Sequence, residues 1–525
     1  MFEWLGKRGS AKPEDTASEF LEALTGSAIA VLQQVSDWVE EQGEGGNLSL
    51  ALLRLADTRL EPVIAEIGET ISTQRRVGTA PKLMRTYCER FARAYALVAR
   101  QSSVDNADRL SAYLRAAYLF SRACRLARMS YDAPGVLHRE IIDLFMKAQQ
   151  HGLAIQRKSP YPGMAETSVG QELAIALLWD TAPFDSLTID QVEYLERFIT
   201  SFGSRIVMKN SPGATAPYAV LADGRVTAPG QADVDAAILF VGPGPLLGQM
   251  AGIVKLPDSG GFPAWAGTPL PHTDMQTLKA LALRMSSTWE RKHVQRGSAR
   301  QTREDSVRVT GGFDNIRRVV AYAAYVRGGG QLEAYDTRDR AISDRVREIM
   351  VGLEDEKRQL TPVEVLAAME TIGDSQAVES WSACDSSAQG YSLAMPGFRN
   401  WIAVGGLLAV RESDSIDWHV AVVRRLYGSS RARRVGVEMF RGNPVPVGMG
   451  HEGQTANVGL AEMRDAILIT GDPASWLVTS FACQLGGTYL VAGHHGRRLF
   501  KVTARCSGNA DYEVSVVEPV DACPS

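Results

Sequence analysis

The chain has no Cys-x-x-Cys pair, no apolar run near the roughly 20 residues a membrane helix needs, and no large surplus of charge. Its six cysteines (Cys88, Cys124, Cys384, Cys483, Cys506 and Cys523) are scattered. That spacing argues against a disulfide framework or a structural zinc and for a reducing cytoplasm. Met1–Arg8 leads into polar residues rather than an apolar stretch, so no secretory signal is read there. A formal net charge of −4 speaks against wholesale binding to nucleic acid or anionic membrane and leaves any basic site local. There is no His-Glu-x-x-His and no phosphate-binding loop. His494 and His495 would point to opposite faces of a strand with no third ligand nearby, so no metal is expected. Glu304 and Asp305, adjacent at the start of a strand, diverge in the same way. No catalytic constellation emerges, and the expectation is a protein that is not an enzyme and carries no cofactor.

At 525 residues, 45% hydrophobic and 22% charged, the chain has an ordinary globular composition and length for about three or four domains. The expected class is α+β and multidomain. Residues 1–202 read as a helical array. Between Ala17 and Glu41 the apolar residues Phe20, Leu24, Val31, Val35, Trp38 and Val39 share one helical face, and Leu110–Met129 repeats the pattern. Thr188-Ile189-Asp190-Gln191 matches a capping box. Residues 203–290 mix strand-like runs, Arg205–Met208 and Ala237–Val241, with Gly/Pro-rich connections. They close on a helix whose apolar stripe is Met275, Leu278, Ala282, Met285 and Trp289. Gly242-Pro243-Gly244-Pro245 follows a strand, but its glycine spacing is wrong for a dinucleotide fingerprint and its prolines remove backbone donors. Residues 291–448 read as β-rich with a helical stretch at 313–369, and 449–525 as a C-terminal β module.

Two short elements in the third region carry chemistry. The tract 291–303 holds five Lys or Arg and no acid, and within it stands Arg296-Gly297-Ser298-Ala299-Arg300, ahead of the strand-like Val307-Arg308-Val309. Further on, Asp385-Ser386-Ser387-Ala388-Gln389-Gly390 comes after Trp381 and precedes the runs Leu407–Val410, Trp418–Arg425 and Val435–Phe440. Arg-x-x-x-Arg before a first strand, with Asp-x-Ser-x-x-Gly before the next strands, resembles the PilZ domain, the bacterial receptor module for cyclic di-GMP. The resemblance covers roughly the third quarter of the chain and implies an antiparallel β-barrel. Arg296, Arg300, Asp385, Ser387 and Gly390 would then form the ligand site. The insertion at 313–369 accounts for the long separation of the two elements.

The chemistry suits that ligand. An arginine can fork onto guanine O6 and N7, stack on the base or pair with a phosphate. An ionised aspartate, which only accepts, complements the guanine N–H donors. The Ser387 hydroxyl can bond the ligand or tie down the turn, and Gly390 gives close backbone approach or a positive φ. Arg424, Arg425, Arg431, Arg433 and Arg434 are alternative cations should Arg296 and Arg300 stand elsewhere. The resemblance implies a cytoplasmic effector whose ligand orders the linker 291–306 and re-aims the helix ending at Trp289. A protein partner would meet the helical N-terminal region; no nucleic acid and no membrane span are expected. The alternative is a PilZ-like scaffold that has lost its nucleotide and serves protein interaction, with an enzyme site in 203–273 a minor third.

Overall fold

In the computed structural model the described residues are 19–46, 48–74, 79–130, 132–228, 236–271, 273–290, 301–328, 361–370, 378–387, 389–397, 399, 401–429, 432–451, 463–472, 474–493, 496–509 and 511–520. They fall into two compact units, Met1–Pro269 with Asp274–Val294, and Gln295–Ser525 with Leu270–Thr273.

Among the described residues the first unit opens on a helical turn at 19–22, followed by α1 (Ala28–Glu44), α2 (Leu50–Gln74), α3 (Thr79–Ala99), α4 (Asn106–Met129), α5 (Gly135–Gln150), α6 (Val169–Asp180) and α7 (Ile189–Phe202). The apolar pattern from Ala17 to Glu41 is interrupted: Gly26 takes φ 134°, Ser27 caps, and α1 starts at Ala28. The expected capping box at Thr188 is present, its hydroxyl accepting from Gln191 N while the Gln191 side chain accepts from Thr188 N. α4 is the hub. It packs against α3, α5 and α6, so apolar and small residues are buried all round it rather than on one stripe.

Next comes a four-stranded antiparallel sheet, in the order β1 (Val207–Lys209), β4 (Ala237–Gly242), β2 (Tyr218–Leu221), β3 (Val226–Thr227). The glycines after β4 serve packing. A Cβ on Gly242 would lie 2.4 Å from Pro217 Cδ, and one on Gly244, at φ 51°, 2.5 Å from Val207 Cγ2. Helices α8 (Leu246–Val254) and α9 (Met275–Trp289) complete the unit. All five stripe residues of α9 are buried, and the Trp289 indole donates to Thr181 Oγ1 at 3.0 Å.

One polar cluster lies inside the helical array. Asp57 of α2 is buried and accepts from Tyr87 and Tyr95 of α3, and from Arg115 of α4 at 3.3 Å. Arg115 also reaches Pro160 O and lies over the Tyr161 ring, which faces Asp57 as well. Burial pushes the Asp57 carboxyl up to about 6, against the opposing Tyr95 bond and Arg115 charge. The native state therefore favours the protonated acid. The stability this adds is complete below the ordinary aspartate value of about 3.9 and is gone once pH has risen through about 6. Between about pH 4 and pH 7.5 the wild type should lose on the order of 2 kcal/mol relative to Asp57→Asn in thermal unfolding. A difference that stays constant across that range would place the titration elsewhere.

Among the described residues the second unit holds two six-stranded antiparallel rings. The first comprises β6 (Ser306–Gly311), β7 (Glu379–Ser387), β8 (Gly390–Ala394), β9 (Leu407–Glu412), β10 (His419–Ser429) and β11 (Ala432–Met439), in the order β7-β6-β9-β10-β11-β8, with β8 returning to β7. The two-residue β5 (Gln301–Thr302) adds to β7 beside β6. The second is a closed barrel, β12 (Asn443–His451), β13 (Arg464–Thr470), β14 (Ser475–Thr479), β17 (Glu513–Val520), β16 (Gly496–Gly508) and β15 (Thr488–Gly493).

Helices α10 (Phe313–Arg327) and α11 (Pro362–Glu370) are the described ends of the expected insertion. Together with both barrels they enclose a common core: Ile316, Val319 and Leu366 from the helices, Leu407, Ala409, Val420 and Val422 from the first barrel, Ile467, Val478 and Val514 from the second. Alternate residues of the same strands fill the barrel interiors, as Ala466, Leu468 and Leu477 do in the second. These strands are apolar on both faces, which is why β9 and β10 read as continuous hydrophobic runs.

Candidate functional site

Asp385, Ser387 and Gly390 meet at the tight connection from β7 to β8, where Ser387 pairs with Gly390. Ser387 Oγ accepts from Gln389 N at 3.3 Å and approaches Gly390 O at 3.4 Å, so the hydroxyl ties the turn. Gly390 is required for clearance, not for a positive φ. A Cβ there would sit 1.8 Å from Val437 O of β11. Asp385 is half-buried two pairs further along β7.

Arg296 and Arg300, and the alternative cation Arg431, lie outside the described residues, as do His494 and His495. Immediately after Arg300, Gln301 pairs with Ser386 and Thr302 with Asp385, so the basic tract leads directly onto the strand beside the aspartate. Arg303 fastens that strand: its N–H donates to Cys384 O at 3.1 Å and its guanidinium meets Glu412 Oε1 at 2.5 Å. Tyr391 donates to the same Glu412 oxygen at 2.9 Å. Burial, with Glu412 next to it, pushes the Tyr391 hydroxyl up to about 12, and the Tyr391 bond together with Arg303 lowers the Glu412 carboxyl. Arg303 stands in the basic tract by sequence, but Glu412 and Tyr391 carry no local signal that would bring them to it.

Register places further groups beside Asp385. Directly paired residues of an antiparallel sheet share a face. Thr302 of β5 pairs with Asp385, Asp385 with Ser392 of β8, Ser392 with Gly436 of β11, and Gly436 with Arg425 of β10. The neighbouring row on that face joins Ala394, Arg434 and Tyr427. Leu393, Val435 and Leu426 alternate with these residues and are buried, so the two rows face outward. Along β9 and β10 the apolar part of the outer wall, Leu407, Ala409, Val420 and Val422, is covered within the common core. The remaining part is polar: the Asp385 carboxylate, the hydroxyls of Thr302, Ser387, Ser392 and Tyr427, and exposed Arg425 and Arg434. Arg424 is engaged by Glu438 at 2.6 Å, and Arg433 is buried.

Such a surface can accept guanine donors on its carboxylate and phosphates on its guanidinium groups. Among the described residues no group of three or more His, Cys, Asp or Glu could hold a metal ion, and no helix is long and apolar enough to cross a membrane.

Residues 3–212 match the family model described as the N-terminal domain of the cyclic-di-GMP receptor FimW. The expected kinship with cyclic di-GMP receptors is thereby met from the opposite end of the chain to the motif that suggested it. No curated protein and no solved structure matches the chain.

Proposed function

We propose that the chain is a cytoplasmic cyclic di-GMP effector whose ligand binds the outer face of the first barrel in the manner of a PilZ domain. Asp385 would accept from a guanine edge, and Arg296 and Arg300 would stack on or fork to the bases and phosphates. Ser387 and Gly390 would hold the turn. The observation that carries this reading is the pairing of Thr302 with Asp385, which brings the strand continuing from Arg300 alongside the carboxylate of a motif about 80 residues away. The match of residues 3–212 to a receptor's N-terminal domain supports it independently. Ligand contacts at Arg296 and Arg300 would draw the tract 291–306 onto the barrel and bias the helix ending at Trp289, favouring one state by differential contacts. The helical unit would be the surface that a protein partner reads.

The test is a calorimetric titration of the full chain. Cyclic di-GMP should bind in preference to GMP, cyclic GMP and cyclic di-AMP. Arg300→Ala and Asp385→Ala should each weaken binding by about 1–3 kcal/mol without unfolding the protein. Absence of heat at about 100 µM ligand, where a micromolar site would be saturated, would remove the reading. Loss of binding in Arg424→Ala and Arg431→Ala, with Arg296→Ala and Arg300→Ala unaffected, would assign the site to the other arginines. Slowed amide exchange over 291–306 on binding is the expected sign of the linker mechanism. The scaffold reading is favoured by one finding: Ser387 and Gly390 both have structural employment in the unliganded hairpin.

A further inference from the structure

We propose that Tyr427 is a stacking platform for one base of the ligand, at the far end of the polar face from Thr302; this rests on the receptor reading above. Ser392 pairs with Asp385 on one side and Gly436 on the other, which puts it on the outer face, and yet it is completely buried. Tyr427 is what covers it. Its hydroxyl lies 2.6 Å from Ser392 Oγ, although β11 runs between β10 and β8. The side chain crosses over Gly436: a Cβ there would stand 4.0 Å from Tyr427 Cε1 and 3.4 Å from Arg425 Cβ, already in contact, so a side chain larger than alanine would press on the ring.

The ring is thus anchored at its tip by a buried hydroxyl and backed by the sheet at Gly436. The residue is only half-buried, so part of its surface is open to solvent. Exposed Arg434 is its direct cross-strand neighbour, and exposed Arg425 stands two residues along β10. A fixed aromatic face flanked by two cations, with a carboxylate beyond β11 and β8, is suited to a purine nucleotide: base on ring, phosphate on guanidinium, guanine edge on Asp385. A cyclic dinucleotide presents two bases, and Tyr427 supplies an aromatic seat for one of them in addition to the arginines of the motif.

The test compares cyclic di-GMP affinity, by calorimetry on the full chain, for wild type, Tyr427→Phe, Tyr427→Leu and Tyr427→Ala, with the melting temperature of each unliganded variant. Phenylalanine keeps the ring and leucine keeps cover over Ser392 without a π face. The expected result is affinity within about three-fold of wild type for Phe and a loss on the order of ten- to hundred-fold for Leu and Ala. Wild-type affinity in a folded Tyr427→Leu would overturn the platform and leave the receptor reading intact. A loss in Tyr427→Phe equal to that in Tyr427→Ala would assign the effect to the hydroxyl and also overturn it. No binding by wild type would overturn both.

Discussion

Glu370→Ala is expected to destabilise the second unit by about 3–5 kcal/mol, the cost of leaving a buried charge without its partner. Arg308 of β6 and Arg411 of β9 stand directly opposite one another, an arrangement that repels unless an anion lies between. Glu370, at the end of α11, is that anion. Its carboxylate receives Arg411 at 2.9–3.1 Å through Nη2 and Nε and Arg308 at 3.3 Å, and the Arg411 and Glu370 side chains are 1% and 0% exposed. Arg411 is further bonded to Ser415 O and lies over the Trp418 ring. Chemical denaturation should show the loss in Glu370→Ala. The paired change Glu370→Leu with Arg411→Met should cost less than Glu370→Ala, because the fully buried Arg411 charge is then removed and only the part-exposed Arg308 loses its partner. Equal losses would mean that the site matters for shape rather than charge.

Gly390→Ala should be nearly as damaging, at or above the upper end of the roughly 1–3 kcal/mol usual for overpacking. The groups nearest its new Cβ are Val437 O, Val437 C and Glu438 Cα, all backbone, so no side chain can swing aside. Relief requires β8 to separate from β11, where Gly390 pairs with Glu438. The measurable outcome is a lower midpoint in denaturant together with weaker cyclic di-GMP binding. A folded Gly390→Ala of wild-type stability would show that the hairpin yields at little cost.

The features legible in the sequence were local ones. Asp385, Ser387 and Gly390 belong to one turn and announce themselves by spacing. The Thr188 capping box and the α9 stripe do so as well, because each is settled within a few helical turns. The remainder of the candidate site could not be read, since it depends on register. Ser392, Gly436 and Tyr427 meet only when β8, β11 and β10 are aligned, and a slip of one residue would turn each side chain to the other face. Strand β12 was concealed for another reason. Pro444 and Pro446 argue against a strand, but they fall where β12 is flanked by β13 alone, since its pairing with β15 begins at Gly448. An N–H is not needed on the side where no strand lies.

The core shared by the two barrels bears on how this protein can be dissected. A gene fragment ending near residue 441 would retain every strand of the first barrel while stripping Ile467, Ile469, Val478 and Val514 from the apolar faces of α10, β9 and β10. Val420, Val422 and Trp418 would then meet water, and the fragment would be prone to aggregate or to pair with itself through that wound. Ligand titrations on such a truncated barrel would report the behaviour of an exposed hydrophobic wall as much as that of the polar face proposed for the nucleotide. A fragment spanning 301–520 would keep both rings and the helices between them, and should melt in a single transition.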